Sequence, residues 1–149
     1  MADYDITKYK ESYSADVDRL CHAFSHESLK EYGQSISTKK LWRDIADKCR
    51  EYSFFLVHDG RAVGVITGLL GSSLPNDGLV LQELMWYVYP EHRKHGLKLL
   101  KSFEDEGRKV GAKMVVMALM HNSDTERIDR LYKRRGYRPF ETHYLKELS

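Results

Sequence analysis

The chain has 149 residues, 42% of them hydrophobic, 11% aromatic and 31% charged, with a formal net charge of +2. That length suits a single domain over 1–149 that buries roughly two-thirds of its unfolded surface, and the composition is too apolar for intrinsic disorder. No apolar run approaches the ~20 residues a membrane span needs, and the N-terminal MADYDITKYKESY lacks the basic-then-apolar order of a signal peptide, so a cytoplasmic protein with no membrane partner is expected.

Ser14 is placed to cap a first helix whose apolar residues Val17, Leu20, Cys21 and Phe24 recur at the spacing of one buried face. Thr38 can cap a second, striped by Leu41, Trp42, Ile45, Ala46 and Cys49. Phe54–Val57 and Ala62–Leu70 then switch to strand character. The His58-Asp59-Gly60-Arg61 step between them favours a tight antiparallel hairpin, because Asp-Gly accepts positive φ. GSSLPNDG at 71–78 reads as a loop leading into a longer strand, Leu79–Val88, which Pro90 ends. A helix from about Gly96 carries Leu100, Phe103, Gly107 and Val110 on one face and stops at Gly111. Met114–Leu119 reads as a short buried strand. Ser123-Asp124-Thr125-Glu126 fits a capping box opening a helix with Ile128, Leu131 and Tyr132 that halts at Gly136, and a last strand is expected at about Tyr137–Leu148. This order implies an α/β chain with a mixed sheet covered by helices. Cys21 and Cys49 fall inside helices without Cys-x-x-Cys spacing, so buried reduced thiols are expected rather than a disulfide or a zinc site.

The strand-to-helix step YPEHRKHGLKLL, 89–100, concentrates positive charge around one glycine. A helix that begins directly after a strand presents up to four unpaired backbone N–H groups and about half a positive charge at its first turn. Gly96 would let an anion approach the main chain, and Arg93, Lys94 and Lys98 would add charge for a phosphate or pyrophosphate. Neither G-x-x-x-x-G-K-S/T nor G-x-G-x-x-G occurs, which disfavours nucleotide hydrolysis and dinucleotide binding.

Arg93-Lys94-His95-Gly96-Leu97-Lys98 resembles the Q/R-x-x-G-x-G/A motif of the GCN5-related N-acetyltransferases, with Lys98 standing where that family has Gly or Ala. Trp86-Tyr87-Val88-Tyr89-Pro90 resembles the family's strand ending in V-x-P, and Leu131-Tyr132-Lys133-Arg134-Arg135-Gly136-Tyr137 its L-Y-x-k-x-G-F segment. The resemblance thus spans roughly residues 79–145, and the region before it agrees only in element order. It implies a GNAT-like acyl-CoA N-acyltransferase fold, a mostly antiparallel sheet with a splayed parallel pair and helices on both faces. It also implies transfer of an acetyl group from acetyl-CoA to a primary amine by direct attack in a ternary complex. Backbone N–H groups of about His95, Gly96, Leu97, Lys98 and Leu99 would hold the CoA pyrophosphate, and main chain at about Tyr87, Val88 and Tyr89 would pair with the pantetheine arm. Similar proteins are frequently homodimers, and a phage or prophage origin fits a member this short.

The same resemblance points to Glu83, ten residues before Arg93, as a general base, and to Tyr132 as the tyrosine beside the thioester sulfur, assigned as general acid. Burial of Glu83 beside Leu81 and Met85 would raise its pKa; the plain alternatives are a solvent-facing carboxylate or an arginine partner. Tyr132 could instead pack with Ile128 and Leu131. Thr125 occupies the place where the family often carries an Asn. His22 and His26 are four apart, as a metal pair would be, but no carboxylate or cysteine cluster accompanies them, so no metal is expected. His92 and His95 flank Arg93, and His121 is a secondary relay candidate. With no G-x-S-x-G and no Cys framed by basic residues, direct transfer is favoured over a covalent intermediate.

Residues 126–138 hold six bases against two acids, whereas 1–31 hold four against seven. Arg127, Arg130, Lys133, Arg134, Arg135 and Arg138, interleaved with Tyr132 and Tyr137, offer a second reading as a basic nucleic-acid or protein-binding module. Because these bases spread over more than one side of a helix and could receive the phosphorylated adenosine of CoA, nucleic acid is disfavoured. A CoA binder without activity is a third reading. The acceptor, a small-molecule or protein amine, is left open; Glu27, Glu31 and Asp77 could attract it if cationic.

Overall fold

A computed structural model describes residues 3–28, 39–73 and 76–148. The cap expected at Thr38, the carboxylate of Glu31 and the side chain of Asp77 lie outside what is described. Two compact units, Met1–Ala118 and Leu119–Ser149, are taken in turn.

In the first unit five strands form one sheet in sequence order: β1 (Tyr4–Thr7), β2 (Phe54–His58), β3 (Arg61–Ser73), β4 (Asn76–Val88) and β5 (Met114–Val116). All neighbours are antiparallel except β4 and β5, which run parallel. Asp59 at φ 50° and Gly60 at φ 72° close the β2–β3 hairpin, as the Asp-Gly step leads one to expect. The expected 71–78 loop is shorter than its polar sequence suggests: β3 runs to Ser73 and β4 starts at Asn76, with Gly71, Ser72, Ser73 and Asn76 paired. The four residues of β1, which pair with β2, were not anticipated.

Helices cover both faces. α1 (Ser14–Ala23) buries Val17, Leu20 and Cys21, and a single π-helical turn, Phe24–Ser28, extends it. α2 (Lys39–Lys48) follows, with Ala46 buried. Ser14 does not cap α1; a 3-10 turn, Glu11–Tyr13, leads into the helix, and Ser14 instead accepts hydrogen bonds from Arg43 at its carbonyl and hydroxyl oxygens, 2.6 and 3.1 Å. Asp16 ties α1 to the start of β3. It is 7% exposed, and burial opposes its ionisation. The Ala62 N–H at 3.1 Å, Arg61 and Arg19 outweigh that cost and hold its carboxyl below the usual range.

α3 (Gly96–Lys109) lies on the other face with Leu99, Leu100 and Phe103 fully buried, each contributing roughly 1.5–3 kcal/mol relative to exposure. Its close approach depends on two glycines of β3. A Cβ on Gly64 would stand 2.9 Å from Val88 Cγ2 and 3.2 Å from Leu99 Cδ1, and one on Gly68 only 2.5 Å from Phe103 Cζ. Gly111, at φ 81°, ends α3 as expected. β5 stops at Val116 rather than Leu119 and is only partly buried. Cys21 is a buried free thiol, pushed up to about 12 by burial, while Cys49 is half-buried.

The second unit holds α4 (Thr125–Arg134), which buries Tyr132 and ends at Gly136, φ 90°. Its start is not a capping box. Thr125 Oγ1 accepts the Asn122 N–H at 2.8 Å and lies 2.8 Å from the Met120 carbonyl, and Asn122 Oδ1 accepts the Asp124 N–H at 2.9 Å. The last strand expected at about 137–148 does not form among the described residues, where Phe140, Tyr144, Leu145 and Leu148 are exposed. A strand exists only where a neighbour completes its hydrogen-bond ladder, which the local sequence does not display.

Candidate active site

The chain does not pass directly from β4 into α3. A 3-10 turn, Pro90–His95, intervenes, with Pro90 at its first position. The Gly96 N–H donates to the Arg93 carbonyl, so the first-turn amides that could face an anion move on to Leu97 and Lys98. No side chain caps α3. Gly96 is buried at an ordinary helical φ of −61°, and a Cβ there would make only ordinary contact with Val88 Cγ2 at 3.5 Å and Trp86 Cζ2 at 3.9 Å. The packing of the chain on itself therefore does not demand a glycine. Lys94 and Lys98 are exposed and make no ion pair among the described residues.

The three cations near Gly96 are not equivalent. Arg93 Nε donates to the Val88 carbonyl at 2.9 Å and Nη2 to Glu27 Oε1 at 2.6 Å, with its Cζ 5.6 Å from the Tyr87 ring centroid. The Tyr87 hydroxyl donates to the other oxygen of Glu27 at 2.5 Å, and burial together with that carboxylate pushes its pKa up. Glu27, read as an attractor for a cationic amine, is thus engaged from both sides. His92 and His95 do not simply border the helix start either. Tyr4 is stacked between His58 and His95, with centroids 4.1 and 3.6 Å away, and its hydroxyl lies 2.7 Å from His92 Nδ1. Burial and the charges of Lys94 and Lys98 lower the pKa of His95.

β4 carries the second half of the site. Its parallel pairing with β5 runs through Val80↔Met114, Leu81↔Val115 and Gln82↔Val116 and then stops, while its pairing with β3 continues to Val88. The Tyr89 N–H donates to the Val63 carbonyl at 3.1 Å. By antiparallel alternation the N–H and C=O of Tyr87 face β3, and those of Trp86 and Val88 face the opened edge. An extended polar chain laid along that edge would meet Trp86 and Val88.

Glu83 stands where the two strands part. A register shift between Thr67 and Gly68 leaves Leu84 as an extra residue, so that Glu83 lies opposite Gly68 and Met85 opposite Thr67. Glu83 is 6% exposed, and its Oε1 accepts the Ala118 N–H at 3.0 Å. Burial pushes its pKa up to about 7, with the Ala118 N–H working the other way. A carboxyl poised near neutrality can hold a proton or take one.

In the second unit Tyr132 is 8% exposed, its ring centroid 5.4 Å from that of Tyr137, whose N–H donates to the Tyr132 carbonyl at 2.9 Å. Thr125, in the place of the family Asn, spends its hydroxyl on the helix start. Two of the six bases counted over 126–138 are paired locally, Lys133 with Asp129 at 2.9 Å and Arg127 with Asp124 at 3.5 Å. His22 and His26 stack at 5.9 Å, and no group of three or more potential metal ligands occurs among the described residues.

A model of the acetyltransferase (GNAT) family matches residues 17–137. No curated protein sequence matches the chain. Among solved structures, an aminoglycoside acetyltransferase from an uncultured soil metagenomic sample is similar with a TM-score of 0.72 at 16% identity, over 99% of both chains. Aminoglycoside N-acetyltransferase AAC(6')-Iy in complex with CoA gives 0.71 at 12% identity, over 99% of this chain and 95% of that one. A transcriptional regulator from Bacillus halodurans gives 0.75 at 10% identity, over 98% and 100%. At these identities the likeness is one of fold.

Proposed function

The chain belongs to the acetyltransferase (GNAT) family, and from that premise we propose that it moves an acetyl group from acetyl-CoA to a primary amine by direct attack, with Glu83 as general base and Tyr132 as general acid. The observation that carries this reading is the parting of β4 from β5 after Gln82, with a buried carboxylate at the break and an opened strand edge beyond it.

The residues suit the coenzyme. The outward main-chain groups of Trp86 and Val88 match the amides of a pantetheine arm, and the first-turn amides at Leu97 and Lys98, with the Lys94 and Lys98 side chains, suit a pyrophosphate. Bound there, acetyl-CoA supplies the thioester acyl group. The chain's own part is to neutralise the acceptor and protonate the leaving sulfur. Glu83, whose pKa burial pushes up to about 7, would in its ionised form take the proton from the attacking ammonium. The Tyr132 hydroxyl would give one to the departing thiolate. The aminoglycoside acetyltransferases among the structural neighbours favour a small-molecule amine over a protein amine as acceptor.

A panel of small amines that includes aminoglycosides, screened with acetyl-CoA by thiol release, tests this. Wild type is expected to turn over at least one of them, faster as pH rises through about 7, because Glu83 acts only when ionised. Glu83→Gln should lower kcat roughly a hundredfold and flatten that rise, and Tyr132→Phe should lower kcat roughly tenfold or more. Acetyl-CoA affinity should stay within a few-fold for both. A fully active double variant would overturn the assignment.

A further inference from the structure

Arg93 sits at the first position of the motif read as phosphate-binding, yet its Nε and Nη2 donors are already bound within the chain. Nε is bound to the Val88 carbonyl at 2.9 Å, a group on the opened edge of β4, and Nη2 to Glu27 at 2.6 Å. Tyr87, 4% exposed, closes the arrangement from beneath with its hydroxyl on Glu27. Phe24, one turn before Glu27, packs edge-on against Tyr87 at 6.2 Å and Trp42 at 4.8 Å. The carboxylate of Glu27 therefore belongs to a π-helical turn held at its base by aromatic packing and at its tip by two charge-assisted hydrogen bonds. π-turns of this kind gather at functional sites.

We infer that Arg93 serves the coenzyme edge by position and not by charge: bound to Val88 and Glu27, it forms with Tyr87 a latch that fixes the Phe24–Ser28 turn against the end of β4. The inference rests on the acetyl-CoA reading above. A guanidinium already paired with a carboxylate adds little net field at the helix start, so the attraction for phosphate falls to Lys94 and Lys98. What Arg93 controls is the direction of the Val88 carbonyl and the wall beside it. Lysine cannot substitute, since an ammonium is a point charge and lacks the fork that reaches a carbonyl and a carboxylate at once.

Calorimetric titration of the full chain with acetyl-CoA at several salt concentrations separates the two roles, because contacts that act through charge weaken with ionic strength. Arg93→Met, Arg93→Lys and Glu27→Gln should each weaken binding about five- to twentyfold, and the Arg93→Met/Glu27→Gln double variant should be no weaker than either single one. The Arg93→Met/Glu27→Gln double variant, which removes both paired charges together, and Arg93→Lys should leave the slope of log Kd against log salt unaltered, whereas Lys94→Met/Lys98→Met should flatten it. Near-UV circular dichroism confirms that each variant is folded. Overturning results are a flattened slope in the double variant, restoration of affinity by Arg93→Lys, or unaltered affinity in Glu27→Gln while wild type releases heat. No heat from wild type would overturn the acetyl-CoA reading and this inference together.

Discussion

Glu83 shows how far one side chain can be read. Its offset from the basic turn is visible in the sequence. Its environment is not, because that depends on an amide 35 residues later, at Ala118, and on a parallel pairing with β5 that ends one residue before it, at Gln82. Of the alternatives open beforehand, it is neither solvent-facing nor, among the described residues, ion-paired. The raised pKa also makes a stability statement. The folded chain holds on Glu83 a proton that the unfolded chain, titrating near 4.5, releases first, so stability falls as pH rises from about 4.5 to about 7. Glu83→Gln keeps an acceptor for Ala118 and removes that fall. Thermal unfolding across this range should find the variant little changed at pH 4.5 and more stable than wild type above pH 7; a difference independent of pH would contradict the burial argument. Arg93 is the opposite case. The sequence displays its charge, but its partner Glu27 lies 66 residues earlier and nothing local announces the pair.

At the scale of elements, legibility follows from whether the signal is local. The apolar spacing of α1, α2 and α3, the Asp-Gly hairpin and the glycine stops at Gly111 and Gly136 were all visible, since each depends on neighbours within a few residues. β1 was invisible because four residues, YDIT, become a strand only by pairing with residues 55–58. The polar 71–78 stretch reads as a loop, yet Gly71, Ser72, Ser73 and Asn76 are paired, for the same reason in reverse. The bulge that sets Glu83 at the break depends on Gly68, where a Cβ would overlap the Gln82 carbonyl oxygen and come within 2.5 Å of Phe103. Gly68→Ala is expected to destabilise by about 2–3 kcal/mol in chemical denaturation. Gly71→Ala, on the same strand with nothing within 4 Å of its Cβ, should be neutral or slightly stabilising. Equal effects at the two positions would show that the close approach of β3, β4 and α3 at Gly68 is not what holds the bulge.

For the molecule as a whole, the charge asymmetry that raised a nucleic-acid reading has a plainer account, in that two bases of α4 are paired with nearby carboxylates, Arg127 with Asp124 just before the helix and Lys133 with Asp129 within it. No described helix is long and apolar enough to cross a membrane. What remains is a family fold with the proposal that its opened strand edge and helix turn bind one coenzyme beside the buried Glu83, which commits to specific main-chain groups. Amide hydrogen exchange with and without acetyl-CoA tests it over the entire chain at once. Exchange should slow in peptides spanning Glu83–Val88 and Gly96–Leu99 while Tyr4–Thr7 stays unaltered; unchanged rates at both segments, or slowing confined to 126–138, would contradict it.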